Sequence, residues 1–225
     1  MFKEFSIGKK AISLVMLVLI LDQAFKIWIK THMMIGQEFR VFGDWFIIHF
    51  TENNGMAFGM EFGGKIGKII LSLFRIIAIS GIAWYLYRLV EQKANRGLIL
   101  SVALILAGAI GNILDSMFYG LIFNESYGQV ASLFPPEGGY STFLYGKVVD
   151  MLYFPVLHGQ YPRWVPIMGS QDFLFFRPVF NFADSSITIG VAIILLFQKR
   201  FFGKKADVKP QEIYNTETST ETTNH

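Results

Sequence analysis

Four aspartates stand within or beside the most apolar parts of the chain. Asp22, Asp115 and Asp184 lie inside or at the edge of apolar stretches, and Asp150 precedes the last stretch. A charged side chain at the centre of a membrane-spanning helix costs about 2.5–3.5 kcal/mol on insertion scales, so several at one depth call for an explanation. Two neighbouring carboxyl groups cannot both ionise cheaply, so one of them keeps a proton. Such a pair can activate water and polarise a carbonyl group, which is the chemistry of peptide hydrolysis.

Other catalytic chemistries have little support in the sequence. The 225 residues include no cysteine, which excludes disulfides, thiolate metal sites and cysteine nucleophiles. The four histidines are scattered, and neither an H-E-x-x-H nor a G-x-S-x-G motif is present. The net charge of +3 comes from short basic clusters rather than from a continuous basic stripe. We therefore expect no metal, no cofactor and no nucleic-acid partner.

The composition indicates a chain that is largely surrounded by lipid. Hydrophobic residues make up 52% of the sequence and charged residues only 16%, against roughly 25% charged residues in soluble domains. A helix needs about 20 mainly apolar residues to cross a bilayer. Four apolar stretches approach that length, at about 11–29, 68–87, 97–119 and 183–201. They predict an α-helical integral membrane protein with four transmembrane helices in a membrane-embedded domain at 1–205, followed by a disordered cytoplasmic tail at 206–225.

The positions of the basic residues predict the orientation of these helices. The start of the chain also resembles a signal peptide, but no small-x-small cleavage site follows, which favours an uncleaved first helix. Lysines and arginines cluster before helix one, between helices two and three, and after helix four, and the positive-inside rule makes that side cytoplasmic. Both termini then lie inside, and the connections at about 30–67 and 120–182 lie outside. This threading brings Asp22, Asn112, Asp115 and Asp184 to one level near the outer surface, where Asp150 of the outer connection could join them, and Asn181 stands with Asp184 at the entrance of helix four.

Local pairing offers a simpler explanation for some of these residues. Asp22 and Lys26 are four residues apart on one helical face and could neutralise each other. Asn112 with Asp115, or the equivalent pair at Asn181, could form a helix–helix hydrogen bond or an N-cap. Two such pairs at the depth of Asp150 favour a functional site.

The two outer connections predict a β-rich lobe. Two β-prone runs flank Gly43 and Asp44, which indicates a hairpin lying on the membrane surface. The second connection is rich in aromatic residues, glycine and proline. Its stretches 121–145 and 151–178 predict a long, ordered extracytoplasmic insertion, and nothing in them names a partner.

Five blocks of sequence form a pattern that is specific when taken together: Asp22-Gln23 with Lys26, Asn53-Asn54-Gly55-Met56-Ala57-Phe58, Gly108-Ala109-Ile110-Gly111-Asn112-Ile113-Leu114-Asp115, Gly146-Lys147-Val148-Val149-Asp150 and Phe180-Asn181-Phe182-Ala183-Asp184. In these blocks the chain resembles the bacterial lipoprotein signal peptidases (signal peptidase II), a family of intramembrane aspartyl proteases. The resemblance implies that Asp150 and Asp184 form a catalytic dyad. It also implies supporting roles around the site, for Asp22, Lys26, Asn53, Asn112, Asp115 and Asn181.

The resemblance also implies a substrate and a location. The substrate is a prolipoprotein that already carries a diacylglyceryl group, cut just before its lipidated cysteine to release the signal peptide. The location is the bacterial cytoplasmic (inner) membrane, with membrane lipid around the enzyme and the active site facing the outer side. We expect the chain to act as a monomer. The sequence does not assign the acid and base roles within the dyad, because a coupled pair titrates as a unit.

One residue departs from the family pattern. The family usually has an arginine directly after the aspartate of helix three, whereas Ser116 follows Asp115 here. Helix two carries Arg75 within its apolar run. Arg75 either supplies the missing positive charge to the carboxylates or extends toward an interface, and the sequence leaves both alternatives open.

Two other classes of membrane protein could contain such acids. A proton-coupled transporter uses intramembrane acids, but it more often shows inverted repeats and midplane sites. A non-catalytic scaffold has no need for acids gathered at one level. The sequence favours the protease.

Overall fold

The computed structural model describes residues 6–55, 64–155, 157–160, 172–175 and 178–203. The helices are α1 (Ile7–His32), α2 (Gly64–Glu91), α3 (Arg96–Leu114), α4 (Gly120–Ile122), α5 (Phe182–Leu196) and α6 (Gln198–Phe202), with a π-helical turn at Asp115–Tyr119 joining α3 to α4. The strands are β1 (Glu38–Phe42), β2 (Phe46–Asn53), β3 (Val148–Tyr153), β4 (Leu157–Gln160), β5 (Asp172–Phe175) and β6 (Val179–Phe180). The predicted tail at 206–225 lies outside the described residues, as do parts of the insertion at 151–178.

Three helices in the described part of the chain are long and apolar enough to cross a membrane, at Ile7–His32, Ile66–Glu91 and Arg96–Ile122. The fourth apolar stretch forms two helices rather than one. The 15 residues of α5 span about 22 Å, short of the roughly 30 Å hydrocarbon core. At Phe197 the backbone leaves helical geometry (φ −107°, ψ 17°) before α6 begins. A fourth membrane crossing therefore stays a prediction.

Helix α3 is the central helix of the bundle and contacts α1, α2 and α5. In its most apolar window 61% of the residues are buried, against 17% in α1 and 11% in α2. The outer faces of α1 and α2 instead expose large apolar side chains such as Ile12 and Ile77, as expected of faces that contact lipid. Gly108 lets α3 approach α5, because a Cβ there would collide with the carbonyl oxygen of Ala183.

A four-stranded antiparallel sheet packs on one end of the bundle, hereafter the sheet end, in the order β1-β2-β3-β6. The predicted hairpin is present as β1 and β2, with Gly43 between them at a φ of +51°. The register of β2 on β3 pairs Thr51 with Asp150 and Glu52 with Val149. A buried apolar core joins the sheet to the ends of α1 and α4: Ile29, Met33, Phe50, Tyr119, Phe123, Ala131, Val149, Met151 and Leu152. This core fixes β3, which carries Asp150, against the helices.

Candidate active site

The polar residues singled out in the sequence meet where α1, α3 and α5 reach the sheet. Helix α1 supplies Asp22 and Lys26, α3 and the π-helical turn supply Asn112 and Asp115, α5 begins with Asn181 and Asp184, and the strands supply Asn53 and Asp150. These residues form one hydrogen-bonded network, in which single hydrogen bonds join residues up to 161 positions apart in the chain.

Asp150 and Asp184 are linked through two asparagine side chains. Asn181 Nδ2 donates to Asp150 Oδ1 at 2.7 Å, and Asn112 Nδ2 donates to Asp184 Oδ1 at 2.8 Å. Asn181 Nδ2 also lies 3.1 Å from Asn112 Oδ1, which connects the two amides. Asn53 donates to the other oxygen of Asp150. The two carboxyl groups therefore belong to one hydrogen-bonded network, in which Asp150 is buried and Asp184 partly buried, and the amides orient both.

The N-cap of α5, Asn181, and the aspartate of its first turn, Asp184, both belong to the site. Asn181 Oδ1 accepts from Asp184 N at 2.8 Å, and Asp184 Oδ2 accepts from Asn181 N at 3.3 Å. This reciprocal pair is a capping box, which satisfies backbone N–H groups at the helix N-terminus. The cap that stabilises α5 therefore also holds Asp184 in place and aims the Asn181 amide at Asp150.

Asp22 and Lys26 form part of a larger buried charge cluster. Lys26 Nζ lies 2.9 Å from Asp22 Oδ2, 2.8 Å from Asp115 Oδ2 and 3.0 Å from Asn112 Oδ1. All three charged side chains are at most 1% exposed. Asp22 Oδ1 accepts from Ala183 N at 2.9 Å, and Asp115 Oδ2 accepts from Val149 N at 3.3 Å. The cluster thus ties the start of α5 and strand β3 to the helices.

Sequence analysis gave no role to Gln23 and Tyr119, which belong to the same network. Gln23 Nε2 donates to Asp22 Oδ2 at 3.1 Å and to Asp115 Oδ1 at 2.9 Å, and Tyr119 donates its hydroxyl to Gln23 Oε1 at 3.1 Å. Gln23 stands in the first of the five family blocks, which was the available signal. Nothing local in the sequence marks Tyr119, because the π-helical turn after Leu114 determines where its side chain points.

Arg75 faces the site from α2 but makes no ion pair within 4 Å among the residues that the structure describes. Its Nη2 donates to the carbonyl oxygen of Gly55 at 2.5 Å. Gly55 has a φ of +82°, a backbone conformation that favours glycine because it strains residues with a Cβ. The charge of Arg75 acts on Asp115, Asp150 and Asp184 at longer range. The side chain therefore contacts the end of the β2 segment near the site.

Ser116 stands at the position where the resemblance leads us to expect arginine. Its side chain is buried, and Ser116 Oγ donates to the carbonyl oxygen of Asn112 at 3.3 Å. The hydroxyl is thus hydrogen-bonded to the preceding helical turn. It does not supply the positive charge that an arginine would place near the carboxylates.

The surroundings of Asp150 favour its protonated form. Burial, followed by repulsion from Asp184, raises the pKa of Asp150 from 3.8 to about 7, against the opposing effects of Asn181, Lys26 and Asn53. A carboxyl group with such a pKa exchanges its proton near neutral pH, which is suited to acid–base chemistry.

The fold and the site define a helical membrane protein whose carboxyl groups are gathered where three helices meet an antiparallel sheet. The family model described as Signal peptidase (SPase) II matches residues 14–200. The chain belongs to this signal peptidase II family.

Individual relatives agree with that assignment. A lipoprotein signal peptidase from Porphyromonas gingivalis is 50% identical over 194 residues, covering 86% of this chain and 84% of the relative. One from Amoebophilus asiaticus is 38% identical and covers 83% of this chain and 76% of the relative. A solved bacterial membrane enzyme matches with a TM-score of 0.55 at 27% identity, covering 92% of this chain and 97% of the other.

Proposed function

We propose that the chain is an aspartic endopeptidase that removes the signal peptide from diacylglyceryl-modified prolipoproteins. The observation that carries the proposal is the hydrogen-bonded network in which Asn112 and Asn181 connect Asp150 to Asp184. Membership of the signal peptidase II family and relatives named lipoprotein signal peptidase support the substrate class. Cleavage just before the lipidated cysteine is part of the same proposal.

In the proposed mechanism, Asp150 and Asp184 share one proton in the free enzyme. The raised pKa of Asp150 supports placing that proton on Asp150. Asp184 takes a proton from water as the water attacks the scissile carbonyl carbon, while the protonated Asp150 donates a hydrogen bond to the carbonyl oxygen. The tetrahedral intermediate then collapses, the carbon–nitrogen bond breaks, and the amine that leaves with the cysteine takes up a proton from the dyad.

The neighbouring residues have positioning roles in this proposal. Asn53, Asn112 and Asn181 orient the two carboxyl groups through their amides. Lys26 balances Asp22 and Asp115, which hold the start of α5 and strand β3 in place. Arg75 supplies positive charge from α2 toward the dyad.

Topology and assembly are further parts of the proposal. We infer that α5 and α6 together provide a fourth crossing, since residues 182–202 would span about 30 Å as a continuous helical length. Both termini lie in the cytoplasm of a bacterium, and the sheet end faces the outer side of the inner membrane. One chain supplies both aspartates, so a monomer is sufficient for catalysis.

Replacing either aspartate by asparagine tests the mechanism. With Asp150→Asn or Asp184→Asn as the only copy in cells, lipid-modified precursor is expected to accumulate with its signal peptide attached, because water is no longer activated. The expected loss of cleavage rate is at least 1,000-fold, on the order of the loss of a catalytic group. The measurement is the ratio of precursor to mature lipoprotein.

Asp44→Asn is the matched control, because Asp44 lies in the β1–β2 turn with its side chain 76% exposed. This variant is expected to process lipoprotein normally. Normal processing by both dyad variants would contradict the proposal. Altered ion or solute flux with normal processing would point to a transporter. Normal flux together with normal processing would point to a scaffold.

A further inference from the structure

A second buried ion pair lies beside the site and has no part in the mechanism above. Lys30 Nζ is hydrogen-bonded to Glu52 Oε1 and to Ser126 Oγ, the latter at 2.9 Å. Ser126 Oγ in turn donates to the same glutamate oxygen at 3.1 Å. The Lys30 side chain is 0% exposed and that of Glu52 is 2% exposed. Taking two charges out of water is costly, so this pair is weak support for stability alone.

Aromatic rings surround the ammonium group of Lys30. Its Nζ lies 5.1 Å from the ring centroid of Phe123, 5.2 Å from that of Tyr140 and 6.0 Å from that of Phe50. The rings exclude water and stabilise the cation through their negative faces. The surroundings therefore hold Lys30 in one place, and with it the carboxylate of Glu52.

Lys30 extends a row of buried charges along one face of α1. Asp22, Lys26 and Lys30 follow one another at intervals of four residues, and all three are 0% exposed. The first two fix α3, α5 and the start of β3, as described above. Lys30 fixes β2 through Glu52. One face of α1 thus contacts both the elements that carry Asn112, Asp150 and Asp184 and, through Glu52, the strand that carries Asn53.

Glu52 lies next to the residue that contacts Asp150. It directly precedes Asn53, whose amide donates to Asp150. Glu52 also pairs in register with Val149, the neighbour of Asp150 in β3. Its second oxygen, Oε2, lies 3.5 Å from Lys147 Nζ, just before β3 begins. The carboxylate is therefore held by Lys30 of α1, while its second oxygen lies near Lys147 without a hydrogen bond from the described residues.

We propose that the Lys30–Glu52 ion pair is a positioning device that holds the Asn53 amide on the carboxyl group of Asp150. This inference rests on the proposed function, because it assigns a role relative to the dyad. Loss of the pair frees the end of β2 and weakens the hydrogen bond from Asn53. The pair then affects catalysis only through Asn53.

The predicted signature is a shift in pH dependence. The charged groups that act on Asp150 are Asp184 from α5, Lys26 from α1 and Arg75 from α2, and none of them contacts Glu52 in the described structure. Besides Lys30, the groups around Glu52 are Lys147 and Tyr140, with Glu125 beyond Lys147. The Asn53 hydrogen bond lowers the pKa of Asp150. Weakening this hydrogen bond raises the pKa of Asp150. The alkaline limb of the pH–rate profile, on which Asp150 loses its proton, therefore moves toward higher pH.

The experiment measures kcat and KM from pH 5 to 9 with the full chain in detergent micelles and a lipid-modified prolipoprotein. Glu52→Gln is expected to lower kcat about tenfold, leave KM within about twofold, and move that limb up by about 0.5–1 pH unit. Asn53→Ala is expected to give the same shift. Combining the two substitutions is expected to add nothing to Asn53→Ala, because both act through one hydrogen bond.

The matched control is Glu91→Gln, which removes the exposed Arg88–Glu91 ion pair at the end of α2 and is expected to leave kcat and the pH profile unchanged. If Glu52→Gln does not yield folded protein, the double variant Lys30→Met/Glu52→Gln removes both buried charges and is judged by the same shift. An unchanged pH profile in the folded variant, or effects of Glu52→Gln and Asn53→Ala that add, would overturn the inference. Cleavage by Asp150→Asn and Asp184→Asn would overturn the proposed function instead.

Discussion

At the scale of single residues, the site separates two kinds of buried carboxyl group. Asp22 and Asp115 share the ammonium group of Lys26 and accept backbone N–H groups from Ala183 and Val149. Asp150 instead accepts hydrogen bonds from the neutral amides of Asn53 and Asn181. Asp22 and Asp115 are thus held by a cation, whereas Asp150 has only neutral side-chain donors and no ion pair among the described residues.

The pKa of Asp150 predicts how stability depends on pH. In the folded chain this pKa is raised from 3.8 to about 7, so the folded state binds the proton more tightly than the unfolded state. The contribution of Asp150 to wild-type stability therefore falls as the pH rises between these two values, and it is lost above the folded-state pKa of about 7. Asn at this position does not titrate, so Asp150→Asn does not show this loss. The stability of Asp150→Asn relative to wild type should therefore be about 1–3 kcal/mol greater at pH 8 than at pH 5.

The measurement is thermal unfolding in micelles at the two pH values, comparing differences rather than absolute midpoints. Asp44→Asn, at an exposed carboxylate, should show the same difference from wild type at both. A stability gap for Asp150→Asn that does not grow with pH would contradict the raised pKa.

The role proposed for Arg75 is also tested at this scale. Arg75→Leu removes a positive charge that acts on three aspartates without contacting any of them within 4 Å among the described residues. Cleavage is expected to fall about 10- to 100-fold, while Arg75→Lys keeps a larger share of activity because the charge remains. The measurement is cleavage by purified enzyme at matched amounts of folded protein. If Arg75→Leu folds, inserts and cleaves like wild type, Arg75 has no electrostatic role in the site.

At the scale of elements, the close approach of α3 and α5 positions Asp184 opposite Asn112. Small residues permit this approach, and Gly190 repeats the feature further along α5, where a Cβ would lie 2.6 Å from the carbonyl oxygen of Ser101. Van der Waals packing of this kind is a main source of helix association within a membrane. The distance between these two helices therefore determines whether the amide of Asn112 reaches Asp184.

Gly108→Ala tests that dependence. The new methyl group would collide with the backbone at Ala183, so the helices must separate, and the expected destabilisation is about 1–3 kcal/mol or more. Activity should fall further than stability alone explains, since Asp184 moves with α5. Gly81→Ala in α2 is the matched control, because a Cβ there meets nothing within 4 Å; it should be neutral or stabilising by up to about 1 kcal/mol. Equal effects of the two substitutions on thermal unfolding and cleavage would contradict this account.

At the scale of the whole molecule, the proposed orientation places the sheet end and the α2–α3 connection on opposite sides of the membrane. The chain has no cysteine, so a single introduced cysteine is labelled without background labelling of native cysteines. Ser132→Cys at the sheet end should react with a membrane-impermeant maleimide in intact cells whose outer membrane admits the reagent. Gln92→Cys, after α2, should react only once the inner membrane is permeabilised. If only Gln92→Cys is labelled in intact cells, the orientation of the chain is the reverse of the one proposed.

The sequence by itself determined where the apolar helices lie, that polar residues cluster near one end of them, and which family the chain belongs to. These properties depend on composition, hydrophobic length and local motifs. The β1–β2 hairpin also followed from local signals at Gly43 and Asp44.

Only the tertiary structure decided which polar groups contact one another. It placed Lys26 between two carboxylates and Arg75 on a backbone carbonyl, and it brought Gln23, Tyr119, Lys30 and Glu52 into contacts that their neighbours in sequence do not indicate. It also divided the fourth apolar stretch at Phe197. These contacts depend on how closely the helices pack and on the register of β2 with β3, and both are set by long-range packing rather than by local sequence.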